Sequence, residues 1–391
     1  MFFTGWRPDS HAASPIVQGY FDYNATTPLS ATAAEAWSTA SRSHWHNASS
    51  LYREAAVVHQ LLDDMRCELA DLVECDEPDR VIFNSGATEA NNAVLSHIAR
   101  TTTGKVAASA IEHPCVADCA RALLGDRLIE LPVDRSGVLE LDALSACLSE
   151  QSDIALVSIM AANNECGTLQ PWKEALQLCK QHGVPYHCDA AQWIGKLPAR
   201  GLGECDYLTG SAHKFGGPKG TGFLIIPEDD RRFRSLIGGP QQEERRAGTE
   251  NYPAVAAMLA NWIALEPSLK KLAAEQQQHR TWAENEITAA IPGTRIVGEK
   301  SDRLWNTILC ILPAHDNRRW LTRLNRLGFC VSTGSACSSG KENPSRVLQA
   351  MSYSYEDMGR TLRISSGWET SRADWEALIG AMKEVSAELA G

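Results

Sequence analysis

Asp206-Tyr-Leu-Thr-Gly-Ser-Ala-His-Lys-Phe-Gly-Gly-Pro-Lys-Gly-Thr-Gly-Phe223 places a lysine, Lys214, behind a hydroxyl and a histidine, Ser211 and His213, and ahead of a glycine-rich turn that enters an apolar strand. Lysine becomes a covalent catalyst when desolvation or a neighbouring cation lowers its pKa, and its main such use is a Schiff base with a carbonyl. The plain alternative is a lysine solvated in a loop. The choice between them depends on what else the chain offers.

Two further segments decide it. Tyr186-His-Cys-Asp-Ala-Ala-Gln192 ends an apolar run in an acid, Asp189. A carboxylate at the end of a buried strand is costly unless paired. A protonated ring nitrogen would supply that pair, and a helix N-cap is the competing use. Gln192, three residues on, is placed to reach the phenolic oxygen of the same ring. Ser85-Gly-Ala-Thr-Glu-Ala-Asn91 lies between an expected strand and an expected helix. Backbone N–H groups at a helix start, with a hydroxyl, suit a phosphate, although Gly-Ala-Thr-Glu also reads as a capping sequence without a ligand. An amine for an aldehyde, an acid for a ring nitrogen and a cradle for a phosphate together match pyridoxal 5′-phosphate, which acts as an electron sink when its ring is protonated.

Outward from these segments the chain alternates strands and helices. Apolar residues at Leu51, Ala55, Val58, Leu61, Leu62, Met65, Leu69 and Leu72 predict a helix over 51–73. Strands are expected at 80–83, 105–109, 154–160, 185–188 and 222–226, and helices at 88–100 and 171–181, with Pro171 in a first turn. Such alternation builds a parallel sheet covered on both faces. A helical stretch over 252–290, interrupted at Pro267, reads as a connection to a second lobe. That lobe has short strands at 294–297, 307–312, 330–332 and 363–365 and a last helix over 370–389. The expected organisation is an α/β chain. An N-terminal segment (1–18) packs on the small domain or is disordered, a large domain with a mostly parallel mixed sheet spans 19–265, and a smaller α/β domain spans 266–391.

Composition narrows the class. The 391 residues carry 37 Lys+Arg against 48 Asp+Glu, a formal charge of −11, which disfavours a nucleic-acid partner. No apolar run nears the roughly 20 residues of a membrane span. The start, Met1-Phe-Phe-Thr-Gly-Trp6, lacks the basic lead of a secretory signal, so a cytoplasmic location is expected. Twelve cysteines, scattered and without a Cys-x-x-Cys pair, suit a reducing compartment better than disulfides or structural zinc. No metal site is expected.

The chain resembles the fold-type I pyridoxal-phosphate enzymes of the class V aminotransferase family, and within it the cysteine desulfurases of the nitrogenase and iron–sulfur-assembly type. The resemblance runs from Tyr20 to about Ser371. Besides the three segments above it rests on Phe21-Asp-Tyr-Asn-Ala-Thr-Thr-Pro28, Glu112-His-Pro114, Asn163-Asn-Glu-Cys-Gly167, Arg246-Ala-Gly-Thr-Glu-Asn251, Gly334-Ser-Ala-Cys337 and Leu362-Arg-Ile-Ser365, in the family's order. It implies that Lys214 carries the cofactor aldehyde and moves the substrate Cα proton. His113 would stack on the ring and act as acid and base. Asp189, Asn164 and Gln192 would address the ring, while Ala87, Thr88, Ser211 and His213 would hold the phosphate. Thr249 would reach the phosphate of a partner subunit, which implies a homodimer. Arg363, with Asn164, would bind the substrate carboxylate, a bidentate task that lysine could not copy.

Cys337 decides the chemistry. Keeping the sulfur of a broken C–S bond calls for a thiolate that reaches the substrate sulfur and then carries it away, and a loop of small residues suits both needs. The other cysteines read as core filler, with Cys166 and Cys188 near the site. The implied reaction converts L-cysteine to L-alanine, leaves a persulfide on Cys337 and passes it to an acceptor protein, as in iron–sulfur cluster biogenesis. Two departures stand out. Ala48 replaces a proline usual in relatives, and the chain stops at Gly391 where assembly-type relatives have an extension that docks a scaffold protein, leaving the acceptor open. The rival readings are a selenocysteine lyase, another C–S lyase or an aminotransferase on the same scaffold, and a non-catalytic subunit.

Overall fold

The computed structural model describes residues 19–334 and 344–390. Seven strands form the main sheet: β1 (Val81–Asn84), β2 (Lys105–Ser109), β3 (Leu128–Leu131), β4 (Ile154–Ser158), β5 (Tyr186–Asp189), β6 (Tyr207–Ser211) and β7 (Gly222–Ile225). Their order is β1-β7-β6-β5-β4-β2-β3. β7 pairs antiparallel with both neighbours and the remaining pairs are parallel, so β7 alone runs against the rest. The expected mostly parallel mixed sheet is therefore present. β5 is buried at all four positions, as a strand covered on both faces must be.

The helices follow their apolar periodicity. Arg53–Val73 buries Ala55, Val58, Leu62 and Leu69 on one face and packs into the same core as β1, β5 and β6. The expected 252–290 helix is split into Tyr252–Leu265 and Leu269–Ala290 by a 3₁₀ turn at Glu266–Ser268, where Pro267 lacks an N–H. β3 and β6 were not anticipated. The stretch expected as a strand over 330–332 forms two isolated bridges instead, Tyr20 to Cys330 and Ser332 to Arg363. The Asn47 turn survives without a proline at 48, because Asn47 Oδ1 accepts from Ser49 N–H and Asn47 O from Ser50 N–H.

A second sheet joins β8 (Arg295–Ile296), β9 (Thr307–Ile311) and β10 (Thr361–Ser365) in the order β10-β9-β8. Asp22 bridges to Ser365, which ties the first described residues to this late sheet. Two indoles connect the sheets: Trp368 Nε1 donates to Gly195 O at 2.7 Å and Trp305 Nε1 to Lys196 O at 2.8 Å. The turn they grip is tight. Gly195 has φ +72°, and a Cβ there would lie 2.2 Å from Phe215 Cβ. Glycine thus lets the turn after Gln192 close on the residue next to Lys214.

No helix among the described residues is long and apolar enough to cross a membrane. The eleven described cysteines are all free, and no described cluster of His, Cys, Asp or Glu could hold a metal ion.

Candidate active site

The parallel strands deliver the candidate residues at their C-terminal ends, where open α/β sheets bind ligands. Asp189 ends β5, Ser211 ends β6, and Lys214 closes the 3₁₀ turn Ala212–Lys214 that follows. His113 caps the helix Pro114–Leu124 after β2, and Ala87 and Thr88 open the helix Ala87–Thr101 after β1. These residues, with Asn164, Gln192 and His213, line one cavity of about 420 Å³, a size suited to a small cofactor.

Lys214 Nζ donates to the carbonyls of Asn24 at 2.7 Å and Ala25 at 2.8 Å. Burial, then the Arg363 guanidinium, lowers its pKa to about 8, against the pull of Asp189 and Asp22. About a tenth of the amine is then neutral at pH 7, where an ordinary lysine is almost wholly charged. We expect the apoprotein to capture a pyridoxal aldehyde at a rate that rises about tenfold per pH unit up to about 8 and then levels. Stopped-flow absorbance checks this. A rise continuing to the pH of an ordinary lysine would show that the site does not tune the amine.

Asp189 is 5% exposed. Its Oδ2 accepts from Asn91 Nδ2 at 2.7 Å, and its Oδ1 from the Ala191 N–H at 3.0 Å. The second contact is the cap-like use weighed from sequence, and the first fixes the carboxylate toward the cavity. Asn91 escaped the sequence reading as a positioning residue, although its motif was singled out. His113 Nδ1 accepts from the Cys115 N–H at 3.2 Å, which leaves the ring proton on Nε2. Burial keeps the pKa of His113 below its usual value, with Lys214 adding to the effect and Asp189 opposing it. The Cys115 thiol sits 2.9 Å from the same Nδ1 and burial pushes it up to about 12, so it stays protonated. Nothing in the spacing of the cysteines had marked it.

The helix expected to cradle the phosphate begins at a glycine. Gly86, at φ +135°, caps the helix Ala87–Thr101, and a Cβ there would lie 3.2 Å from Ser211 Oγ. Glu89 Oε2 accepts from Ser85 N–H, and the Glu89 carboxylate pairs with Arg246 at 2.9 and 3.2 Å. The Glu89 contact is thus a capping-type one, made to the N–H that precedes the Gly86 cap. His213 Nδ1 contacts Thr26 Oγ1 at 3.1 Å, and burial with the nearby lysines brings its pKa to about 4. It thus serves as a neutral hydrogen-bonding group.

Three candidates stand apart. Arg363, in β10, is 4% exposed and does not line the cavity. It touches the rim, its Nη1 donating to Asn164 O at 3.0 Å while Nη2 pairs with Asp22 Oδ1 at 2.7 Å. Its Nε is buried and has no hydrogen-bond partner among the described residues. Thr249 lines a small adjoining cavity with Ser85 and Gly220 rather than the Lys214 cavity. Cys337 lies outside the described residues.

The donor set fits pyridoxal phosphate: a nucleophilic amine, a fixed carboxylate, a stacking-capable ring at His113, and a glycine-lined helix start. The family model for Aminotransferase class-V matches residues 19–378. The chain belongs to the class V aminotransferase family. Pyridoxal phosphate is the cofactor of this family and of this chain. Among curated class V relatives, the chain is 33% identical over 380 residues to "Cysteine desulfurase IscS" of Dictyoglomus turgidum, covering 95% of each. It is 35% identical over 380 residues to a cysteine desulfurase of Rhodobacter capsulatus, covering 95% of this chain and 97% of the other. A solved NifS-like protein of Rickettsia africae superposes with a TM-score of 0.85 at 27% identity, covering 94% of this chain and 99% of that one.

Proposed function

We propose that this chain is a cysteine desulfurase that converts L-cysteine to L-alanine, holds the released sulfur as a persulfide on Cys337 and passes it to an acceptor protein. The observation that carries this reading is the meeting of Lys214, Asp189 and His113 in one cavity with Arg363 at its rim, in a chain aligned over nearly its whole length with cysteine desulfurases.

Pyridoxal phosphate, when bound, supplies an electron sink that makes the Cα–H of an amino acid acidic. Asp189 would hold its ring nitrogen, Gln192 its phenolic oxygen, and Ala87, Thr88, Ser211 and His213 its phosphate. Arg363 and Asn164 seat the substrate carboxylate. Lys214 takes the Cα proton with an amine whose lowered pKa suits proton transfer near neutrality. His113 presents Nε2–H as the acid. The Cys337 thiolate attacks the substrate sulfur, so that an S–S bond forms as the C–S bond breaks. The bonding pair stays with the substrate carbon, which takes a proton, and alanine leaves. Atoms and electrons balance without an outside oxidant or reductant.

The chain works as a cytoplasmic homodimer in this reading, Thr249 of one copy serving the phosphate of the other, and its sulfur feeds iron–sulfur cluster assembly. The position of Thr249 outside its own Lys214 cavity supports this, as do the exposed Leu51 and Ile237. The purified protein should be yellow and, with L-cysteine and a thiol acceptor, release alanine and sulfur in equal amounts. Pyruvate and ammonia in place of alanine would identify a C–S lyase and overturn the reading.

Arg363→Lys should raise KM for L-cysteine by roughly ten- to a hundredfold and change kcat only a few-fold, because the carboxylate contact is made in ground and transition state alike. A matching fall in kcat with KM unchanged would place the arginine in the chemistry instead.

A further inference from the structure

Lys196 is 1% exposed, and no carboxylate among the described residues pairs with it. Among the described residues its Nζ donates only to Gln192, to the side-chain Oε1 at 2.7 Å and the backbone O at 3.3 Å. Burial, together with Lys214 and Arg363, holds its pKa well below the usual lysine value. A buried amine without a counter-ion is an expensive feature, and the reaction has no step that needs it.

Its partner gives it a use. A primary amide has an accepting end and a donating end, and the two are interchangeable by rotation unless a neighbour discriminates between them. Lys196 does so by geometry, because its Nζ hydrogens are directed at two Gln192 oxygens, Oε1 at 2.7 Å and the backbone O at 3.3 Å. With Oε1 held by Lys196, the Gln192 Nε2 points the other way. There it donates one hydrogen to Asn24 O at 3.0 Å, the same carbonyl that accepts from Lys214 Nζ. Its second hydrogen remains for the cavity that Gln192 lines. Rotating the amide would set Nε2–H₂ against the lysine head group and Oε1 against the Asn24 carbonyl, losing both bonds. Lys196 is itself held in place, since Trp305 donates to its carbonyl and Trp368 to that of Gly195.

We propose that Lys196 is a positioning residue for the cofactor, fixing the Gln192 amide so that its N–H face, and not its carbonyl, meets the phenolic oxygen of pyridoxal phosphate. The proposal rests on the reading of Gln192 as a contact to that ring. A donor on the phenolic oxygen draws charge from it. Without the donor, that charge holds the proton shared with the neighbouring lysine-linked nitrogen more firmly, and the visible absorbance titrates at higher pH.

The test is the pH titration of the visible absorbance of the holoenzyme in Lys196→Met, Gln192→Ala and the double variant. Each single substitution should move the midpoint up by about one unit, and the double should move it no further than Gln192→Ala does. Lys196→Arg, whose head group can only donate, should stay within a few tenths of a unit of the native midpoint. If Lys196→Met does not fold, Lys196→Gln, polar and able to accept, carries the same expectation of a raised midpoint. A native midpoint in Lys196→Met or Lys196→Gln beside a raised one in Gln192→Ala overturns the role of Lys196 alone. Additive shifts in the double variant do the same. A native midpoint in Gln192→Ala overturns the assignment of Gln192 and this proposal with it, while leaving the desulfurase reading to its own alanine assay.

Discussion

Lys214→Ala will give a folded, colourless protein that makes no measurable alanine from L-cysteine, a loss on the order of 10⁴-fold or more. In the proposed reading the amine has two tasks, binding the aldehyde and acting as the base beside the substrate Cα. Lys219, the nearest lysine by sequence, also lines the cavity but is exposed, and Lys196 is buried with its Nζ committed to Gln192. Folding should survive, because the lysine side chain reaches into the cavity and bonds only to the Asn24 and Ala25 carbonyls, which an entering water can satisfy. An absorbance spectrum, an alanine assay and a thermal melt check the three parts. A coloured variant with native turnover would remove Lys214 from both roles.

Cys337→Ser should separate colour from turnover. The variant keeps the yellow absorbance and its response to L-cysteine, yet loses alanine and persulfide formation by on the order of 10³-fold or more, because a hydroxyl does not ionise near neutral pH and cannot accept a transferred sulfur as a thiolate does. Intact-protein mass after one turnover reads the added sulfur atom directly. Two other thiols serve as controls. Cys166 and Cys188 are wholly buried, and burial raises the pKa of both. Cys166→Ala and Cys188→Ala should therefore retain persulfide formation. Activity surviving Cys337→Ser but lost in Cys166→Ala would move the nucleophile.

The parts of the site legible in sequence are those written locally. Asp189 ends one strand and Lys214 follows another within a few residues, and the glycines beyond them mark the turns. The expected strand at 222–226 became β7. β6 was missed for a physical reason: its Thr209, Gly210 and Ser211 are buried but polar or small, and Thr209 is satisfied by His187 Nε2 at 3.2 Å. Hydropathy does not register a core position filled by a hydrogen bond. The partners Asn91 and Asn24 were equally silent, because each acts across a gap in sequence. Asn91 meets Asp189 98 positions away, and the Asn24 carbonyl meets Lys214 190 positions away. The tryptophans, which had no assignment from sequence, resolve in part once Trp305 and Trp368 are seen gripping the turn below Gln192.

The pairing of Arg363 with Asp22 spans 341 positions, and it sets an order of events for a chain made from its N-terminus. The main sheet can close once Ile225 has emerged, since β7 is the last strand it needs. The walls around Lys214 are then complete. β10, with Arg363, arrives only near the end of translation, and until then Asp22 has no Ser365 to bridge. The residues that line the Lys214 cavity are therefore all made well before Arg363, the proposed contact to the substrate carboxylate. On the proposed roles, a ribosome-bound chain halted between the two stages would not consume cysteine, because neither Cys337 nor Arg363 has yet been made.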